Sequence, residues 1–330
     1  ILMRYFFIDE PEQEELVEEK ETITLVKPKH GLFSHQRTAL MKVDNILENE
    51  GGRVILHMPT GSGKTRTAMN LATKALNQEE GLILWLAHSE ELCEQASEEF
   101  EKAWSYQGDR EITIRRFYDK HKWQNTDDGI IVAGLDKLWS HLKKEQTELH
   151  WLAPKITLII FDEAHQSIAN TWRIPIDIIT NMNPDCKFLG LTATPGRTWS
   201  DIDEDKKLSS FYNNKKVPLE VEGYDSPIKY LVDEGYLSEV KFHSLEYRST
   251  GTEILDIESI SYGKDIPKSM LTELSSDGMR SSFIITQIQD LITRHERILL
   301  FATNVAHAKE ISAYLNQIGI VEINVSTIPS

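Results

Sequence analysis

Short runs of aliphatic and β-branched residues recur along the first part of the chain, separated by longer segments with apolar positions every third or fourth residue. Short continuous apolar runs with polar flanks are typical of strands that are buried on both faces of a sheet. The pattern predicts six such strands, at residues 53–57, 82–86, 112–117, 130–133, 157–161 and 188–191.

The segments between these strands have the period of amphipathic helices. Residues 65–76 carry aliphatic side chains on one helical face, namely Ala68, Met69, Leu71, Ala72, Ala75 and Leu76. Residues 90–104 do the same with Leu92, Ala96, Phe100 and Ala103. Strands that alternate with helices predict an α/β fold with a doubly wound parallel sheet, extending from about Leu32 to Arg197.

An acidic composition separates the start of the chain from the domain that follows. Residues 1–28 include eight carboxylates between Asp9 and Glu21 against the single Lys20, which is typical of a solvated acidic connector or an exposed helix. The first domain is therefore assigned to residues 29–223. Within it, the polar stretch at residues 199–214 predicts a hinge or a surface excursion.

A second α/β pattern begins at residue 224. It predicts helices at residues 283–292 and 306–315 and strands at residues 297–302 and 321–325. Residues 224–330 leave room for about half of a second domain like the first. Because the chain also begins with Ile1, we expect it to be a segment of a longer protein.

Charge and cysteine content narrow the functional classes. A formal net charge of -16 argues against a general electrostatic attraction to nucleic acid, although a local basic groove suffices for a motor. Cys93 and Cys186 lack the spacing of metal ligands and make a disulfide framework implausible, and Cys93 is expected to lie in the core. No apolar run is long enough for a membrane span, and no secretory signal opens the chain. A cytoplasmic protein without membrane contact is expected.

A glycine-rich loop follows the first predicted strand and precedes a predicted helix. It reads Thr60-Gly61-Ser62-Gly63-Lys64-Thr65. In this context glycines let backbone N–H groups approach the phosphates of a nucleotide, Lys64 reaches the β and γ oxygens, and the Thr65 hydroxyl ligates Mg²⁺. The full phosphate-loop pattern has glycine where this chain has Met58. A glycine-rich turn without a ligand is the structural alternative.

A pair of carboxylates ends the fifth predicted strand. Asp162 and Glu163 emerge at the carboxyl edge of the sheet, where open α/β sheets bind ligands. Asp162 would then hold Mg²⁺ and Glu163 would activate the attacking water. Taken alone, two acids at this position are also an ordinary helix N-terminus. Together with the Lys64 loop they predict ATP and Mg²⁺ as cofactors.

These two runs together resemble motifs I and II of the superfamily 2 helicases in the DEAH-box form. The resemblance covers residues 32–325 and implies two RecA-like doubly wound domains, of which the second is incomplete. Other runs resemble further motifs of this family in the same order: Phe33-Ser34-His35-Gln36, Leu86-Ala87-His88-Ser89, Leu191-Thr192-Ala193-Thr194-Pro195 and Ile298-Leu299-Leu300-Phe301-Ala302.

The resemblance assigns roles to residues in these runs. It implies that Gln36 reads the adenine edge and that His88 and Ser89 contact nucleic acid. It also implies that Thr192 and Thr194 couple hydrolysis to movement. His165 would bridge the ATP site to this coupling motif, against the alternative of a structural histidine.

The branch of the family follows from one motif. The Leu-Thr-Ala-Thr-Pro form is similar to DNA-acting members such as the motor subunits of restriction enzymes (the type III Res-like branch), whereas the spliceosomal RNA helicases carry Ser-Ala-Thr. The resemblance therefore implies a DNA helicase or translocase in a restriction, repair or phage-defence system, with a protein partner or additional fused domains. Motifs V and VI are missing, so residues 1–330 are expected to bind ATP and to hydrolyse it poorly.

Several alternatives stay open. The protein could be an RNA helicase, a duplex translocase that does not separate strands, an ATP-gated sensor or assembly switch, or a degenerate nucleotide-binding scaffold. Residues 115–123 interleave basic and aromatic side chains and could bind a single strand, although we favour a core strand that runs into a solvated loop. Arg197 could face a phosphate or form a surface salt bridge.

Overall fold

The computed structural model describes residues 29–193, 202–243 and 268–319. One parallel sheet organises the first of these ranges and the beginning of the second. Its seven strands are β1 (Arg53–His57), β2 (Leu82–Ala87), β3 (Thr113–Phe117), β4 (Gly129–Gly134), β5 (Ile156–Asp162), β6 (Lys187–Thr192) and β7 (Lys216–Pro218). Their order across the sheet is β3-β4-β2-β5-β6-β1-β7, and each neighbouring pair is parallel.

Helices cover both faces of this sheet. They are α1 (Ser34–Asn49), α2 (Lys64–Gln78), α3 (Glu90–Gln107), α4 (Leu135–Lys144), α5 (Gln146–Leu152), α6 (Asn170–Met182), α7 (Ile202–Phe211) and α8 (Pro227–Asp233). Short 3₁₀ helices occupy Ala153–Lys155 and Ala164–Ile168. Two apolar cores result: α1, α2, α3 and α8 pack on one face, and α4 to α7 pack on the other.

The central strand β2 shows why the fold is doubly wound. All six of its residues are buried. Ile83 and Trp85 join the first core, whereas Leu82, Leu84 and Leu86 join the second, as the two-residue period of a strand requires. The predicted α/β class and the six predicted strands are therefore confirmed, with ends that differ by at most two residues.

The prediction of a hinge or surface excursion at residues 199–214 is wrong for the part that the structure describes. Residues 202–211 form α7, and Leu208 and Tyr212 are buried in the second core. The exposed Lys206 and Lys207 give the segment its polar character. Phe211 packs against the same core, so three apolar side chains at the end of the helix dock it on the sheet.

The seventh strand was not predicted. β7 spans three residues, ends at Pro218, and pairs with β1 at the edge of the sheet. Pro218 is compatible with this place because an edge strand can leave one of its sides without a backbone donor. A run this short carries no period that distinguishes it from a loop.

Residues 224–237 pack on the first core. Tyr230 and Leu231 of α8 are buried there, and Tyr224, Tyr236 and Leu237 lie against them. The segment thus extends the packed unit of the sheet beyond the predicted boundary at residue 223.

Three helices form the last described part of the chain: α9 (Lys268–Ser276), α10 (Gly278–Ile292) and α11 (Val305–Gln317). The second and third of these helices share a small core of Ile288, Ile311 and Leu315. The strand predicted at residues 297–302 is wrong, since the structure assigns no strand there and leaves Leu299 80% and Phe301 78% exposed. A parallel strand needs a hydrogen-bonded neighbour, and within the described residues none pairs with this segment. The predicted strand at 321–325 and the acidic segment 1–28 lie outside the described residues.

Candidate active site

The sheet brings the two predicted motifs to one edge. β1 ends at His57 and β5 ends at Asp162, and β6 lies between them. Two backbone hydrogen bonds fix the register at this edge: Met58 N donates to Thr192 O at 3.1 Å, and Glu163 N donates to Leu191 O at 3.1 Å. The residues that follow β1 and β5 therefore lie at the same carboxyl edge of the sheet.

The loop at residues 58–63 turns sharply into helix α2. Gly61 and Gly63 have φ values of +80° and +87°, which favour glycine strongly. The hydroxyl of Ser62 donates to Pro59 O at 2.6 Å, and Ser62 N donates to the same carbonyl at 3.2 Å. This arrangement ends at Lys64, the first residue of α2, so the unpaired N–H groups of the helix start lie at the loop, as an anion site requires.

Met58 occupies the position where the phosphate-loop pattern has glycine. Its side chain is fully buried in the first core. Its N–H group continues the strand pairing with Thr192, so the sharp turn begins only after it. The departure from the pattern therefore lies at a position that packs beneath the loop.

Burial and neighbouring charges shift the pKa values of the charged groups at this edge. Burial lowers the pKa of the Lys64 ammonium, and the carboxylates of Glu163 and Asp162 oppose that shift. Burial raises the pKa of Asp162 to about 6; the charge of Glu163 adds to the rise and Lys64 opposes it. A cation placed beside Asp162 would favour its ionised form and lower its pKa.

The donor set fits a magnesium ion that keeps most of its ligands outside the protein. Among the described residues, no cluster of three His, Cys, Asp or Glu side chains could hold a metal. Mg²⁺ is usually bound through one or two protein oxygens together with waters and substrate phosphates. The buried Asp162 and the hydroxyl of Thr65, on the first turn of α2, are the predicted protein ligands.

Glu163 has an unusual backbone for a residue with a side chain, with φ +82° and ψ 90°. Such outliers cost about 1–3 kcal/mol and cluster at functional sites. The side chain is partly exposed, and its Oε2 lies 3.7 Å from His165 Nδ1. The Nε2 atom of His165 lies 3.0 Å from Gln166 Nε2. His165 is thus placed beside the predicted base.

Gln36 lies beneath the loop and is only 2% exposed. Its Nε2 donates to Ser62 O at 3.0 Å, and its Oε1 accepts from Phe33 N at 3.0 Å. The side chain predicted to read adenine therefore already holds the phosphate loop. One N–H of Nε2 and one lone pair of Oε1 are not used by these two bonds and could contact a base.

Two residues to which the sequence assigned no role extend this contact. His35 Nε2 lies 3.4 Å from Ser62 O, and its Nδ1 lies 3.3 Å from the hydroxyl of Tyr230. Because a carbonyl only accepts, Nε2 carries the proton and Nδ1 accepts from Tyr230. Burial lowers the pKa of His35, which favours this neutral form. Helix α8 is thereby linked to the phosphate loop, although 195 residues separate His35 from Tyr230.

The other predicted site residues have simpler surroundings. Thr192 is buried at the end of β6, while Thr194 and Arg197 lie outside the described residues. His88 is exposed after β2. Ser89 caps α3, since its hydroxyl accepts from Leu92 N at 3.3 Å. A structural role thus accompanies its predicted contact with nucleic acid.

The favoured interpretation of residues 115–123 agrees with the structure. Phe117 ends an edge strand and is buried, and Trp123 packs on it with ring centroids 5.0 Å apart. Arg116 pairs with Glu101 at 3.4 Å. Cys93 is also buried in the core as expected, and burial raises its pKa to about 12.

Comparisons with known proteins show which proteins this chain resembles. The chain is similar to a protein of Saccharomyces cerevisiae with the provisional name ATP-dependent helicase IRC3 (26% identity, 69% of this chain and 30% of the relative). It is also similar to the ATP-dependent DNA helicase Hel308 of Thermococcus kodakarensis (30% identity, 44% of this chain, 13% of the relative). The mouse ATP-dependent RNA helicase DHX58 is 26% identical, over 44% of this chain and 23% of its own length.

The chain thus spans less than a third of the length of these curated relatives. Among solved structures, the helicase domain of Pyrococcus furiosus Hef is similar with a TM-score of 0.46 and 17% identity, over 86% of this chain and 53% of that one. In the part of the chain that the structure describes, no helix has the length and apolarity needed to cross a membrane.

The family model described as type III restriction enzyme, res subunit, matches residues 29–197. These residues include the phosphate loop, the Asp162–Glu163 pair and all strands from β1 to β6. The match covers just over half of the chain, and the protein therefore belongs to the type III restriction enzyme res subunit family, a branch of the superfamily 2 helicases.

Proposed function

We propose that this chain is the ATP-hydrolysing part of a motor that moves on nucleic acid. One observation carries the proposal: a single strand, β6, separates the buried Asp162 and the strained Glu163 from the phosphate loop. Both carboxylates interact with Lys64 of that loop. A scaffold that only needed to fold would gain nothing from this cluster, because burial of its charges is costly.

Each residue then has a defined role. Backbone N–H groups of residues 60–63 and the ammonium of Lys64 bind the phosphates. Thr65 and Asp162 hold Mg²⁺, which when bound supplies charge neutralisation for the transferred phosphoryl group. Glu163 accepts the proton of the attacking water. Gln36 positions the loop and contacts the adenine edge with its second Nε2 N–H and its second Oε1 lone pair.

Movement requires a second domain that closes on this site. We assign the coupling of hydrolysis to closure to His165, Thr192 and Thr194, and the contact with nucleic acid to His88 and Ser89. The second domain is proposed to begin after Leu237, because residues 224–237 pack with the first. Helices α9 to α11 would be its first elements.

DNA is the proposed track, supported by the Leu-Thr-Ala-Thr-Pro form of the coupling motif. The relatives named above include both a DNA helicase and an RNA helicase, so they favour neither track. We place the protein in the cytoplasm, in a restriction, repair or phage-defence system, with a protein partner or fused domains.

Replacement of the base tests the assignment directly. Glu163→Gln should bind a fluorescent ATP analogue as the unmodified protein does and should lose about 10²–10⁴-fold in turnover. Glu220→Gln is the matched control, because Glu220 is exposed and pairs with Lys42 on the surface. Unchanged turnover in Glu163→Gln would refute the role of Glu163.

An ATP-gated switch is the second candidate, favoured by the net charge of -16, which repels nucleic acid overall. ATP turnover measured with single-stranded DNA, duplex DNA and RNA separates the two. A motor is stimulated by its track. A switch hydrolyses ATP at the same rate with each of these three nucleic acids and without nucleic acid.

A further inference from the structure

A long groove runs along the face of the sheet that α6 and α7 cover, with a cavity volume of about 880 Å³. Residues 167–169 line it near the carboxyl edge of the sheet, and Arg53, the first residue of β1, lines it at the opposite edge. Between them the groove follows α6 as far as Asn181, which is about 18 Å at 1.5 Å per residue. An extended peptide of about five or six residues covers this length.

The charge of this groove is opposite to that of the chain as a whole. Among the described residues that line it, Arg53, Lys206 and Lys207 are cationic, and Asp177 is the one carboxylate. Asp205, the neighbour of the two lysines on α7, does not line the groove. In a chain with a formal net charge of -16, this local excess of positive charge favours an anionic ligand.

Arg53 is the most firmly held cation of the groove. Its guanidinium is half-buried between two aromatic rings, 4.4 Å from the centroid of Phe188 and 4.6 Å from that of Phe211. Within the part of the chain that the structure describes, it donates one hydrogen bond, to Phe211 O at 3.4 Å, and has no carboxylate at ion-pair distance. A guanidinium stays charged and has five N–H donors in one plane, so the other donors are available to a ligand.

Lys207 extends the positive charge along α7. It is exposed, and it lies four residues, or about 6 Å along the helix, before the Phe211 residue that covers Arg53. Alternate side chains of an extended peptide point to the same side and are about 6.6–6.8 Å apart. A peptide with an acidic residue at every second position therefore matches the spacing of these two cations.

The other end of the groove contacts the segment that carries the predicted catalytic base. Glu163 immediately precedes the 3₁₀ helix Ala164–Ile168, and Gln166 N donates to Glu163 O at 3.0 Å. Ser167, which lines the groove, donates its hydroxyl to Ala164 O at 2.7 Å. A ligand in the groove thus contacts the short helix that positions Glu163.

We propose that the groove between α6 and α7 binds an extended acidic segment of a partner protein, and that this segment raises ATP turnover through the 3₁₀ helix that follows Glu163. Arg53 holds one carboxylate with two parallel hydrogen bonds, and Lys207 attracts a second. The bound segment packs on residues 167–169 and keeps Glu163 in its strained conformation. The binding goes beyond the proposed function, whereas the effect on turnover rests on it.

The position of the groove favours a protein partner over nucleic acid. The residues assigned to nucleic-acid contact, His88 and Ser89, follow β2 at the carboxyl edge of the sheet. Arg53 begins β1 and therefore lies at the opposite edge, since all seven strands are parallel. A strand of nucleic acid bound at His88 and Ser89 leaves the Arg53 end of the groove open.

Peptide binding with matched variants tests the proposal. The probe is a fluorescent peptide of four Ser-Glu repeats, with a Ser-Gln peptide of equal length as its control, and anisotropy is measured at about 50 mM salt. The Ser-Glu peptide should bind and the Ser-Gln peptide should not. Arg53→Met should lose about tenfold or more in affinity, because a charge-assisted pair of hydrogen bonds is removed.

Two lysine variants complete this experiment. Lys207→Gln should lose about two- to fivefold in affinity, as expected for an exposed ion pair, and keeps the test valid if Arg53→Met does not fold. Lys102→Gln removes the same charge from α3, on the other face of the sheet, and should bind the peptide as the unmodified protein does. Equal binding of the two peptides, or unmodified affinity in Lys207→Gln and in folded Arg53→Met, would overturn the proposed site.

Labelled single-stranded DNA distinguishes the two kinds of partner. If Lys207→Gln weakens the binding of DNA and not that of the peptide, the groove is a nucleic-acid site and the proposal is wrong.

The effect on the ATP site is measured as ATP turnover without nucleic acid at increasing concentrations of the Ser-Glu peptide. The kcat should rise several-fold while KM for ATP changes little, because the phosphate loop does not line the groove. A bound peptide with unchanged kcat refutes the part assigned to the 3₁₀ helix and leaves the binding site intact. If the unmodified protein hydrolyses no ATP under any condition while the peptide still binds, the proposed function and the effect on turnover fail, and the acidic-segment site stands.

Discussion

Replacement of Gly63 by alanine tests how the phosphate loop is held. Gly63 has φ +87° and ψ 38°, a left-handed conformation that costs an alanine about 1–2 kcal/mol. A Cβ atom at this position would lie 2.1 Å from Nε2 of Gln36. No real contact is that short, so the Gln36 side chain would have to rotate away.

The magnitude of the effect follows from these contacts. Rotation of Gln36 breaks its hydrogen bonds to Ser62 O and Phe33 N, each worth about 0.5–1.5 kcal/mol. With the backbone strain, Gly63→Ala should cost about 2–5 kcal/mol of unfolding free energy. Gly223 is the matched control: it has φ +85° and no atom within 4 Å of an added Cβ, so Gly223→Ala should cost only the strain.

Urea unfolding in the absence of nucleotide measures both values and allows a double-mutant cycle. Gln36→Ala alone already loses the two hydrogen bonds. Gly63→Ala/Gln36→Ala should therefore cost less than the sum of the single changes, by about 1–3 kcal/mol. Additivity within about 0.5 kcal/mol, or equal costs for Gly63→Ala and Gly223→Ala, would refute the contact between Gly63 and Gln36 as the source of the effect.

Three further predictions concern electrostatics and the link to α8. Asp162→Asn should stabilise the metal-free protein by about 1–3 kcal/mol near pH 7, because burial raises the pKa of Asp162 to about 6; chemical unfolding should show the gain vanish below about pH 4, where the unfolded carboxyl is also protonated. Tyr230→Phe removes the donor that fixes the tautomer of His35 beneath Ser62, and ATP titrations should show KM rise several-fold with kcat nearly unchanged. Burial lowers the pKa of His307, so its contribution to stability is present above about pH 6.5 and is lost on acidification; thermal unfolding should show a smaller loss between about pH 7.5 and 5.5 in His307→Gln.

The sequence predicted the elements whose pattern is long or fully apolar. β2 and β5 are continuous apolar runs, and α2 and α3 carry complete apolar faces, so periodicity alone located them. α7 was missed because its charged residues dominate the composition while Leu208 and Tyr212 provide the docking contact. The strand predicted at residues 297–302 has the right composition, but a strand also depends on a partner that composition does not supply.

In the candidate site, too, the sequence predicted the residues that stand in local motifs but not the contacts between distant residues. Lys64, Asp162 and Glu163 stand in local motifs, and the sheet order explains why they meet. The contact between His35 and Tyr230 joins residues far apart in sequence, and neither belongs to a motif that names the other. The bonds from Lys137 to the turn after β3 are likewise invisible in sequence, because their acceptors are backbone carbonyls.

The place of β1 in the sheet has a consequence for how the protein is made. β1 carries the phosphate loop, yet its hydrogen-bonded neighbours are β6 and β7, and β6 is synthesised roughly 130 residues later. At about 5–20 residues per second, a ribosome needs on the order of ten seconds to supply that neighbour. Throughout this interval Val54, Ile55 and Leu56 of the nascent chain have no strand to pair with. The strand that leads into the proposed ATP site therefore completes its native pairing only after most of the domain has been synthesised.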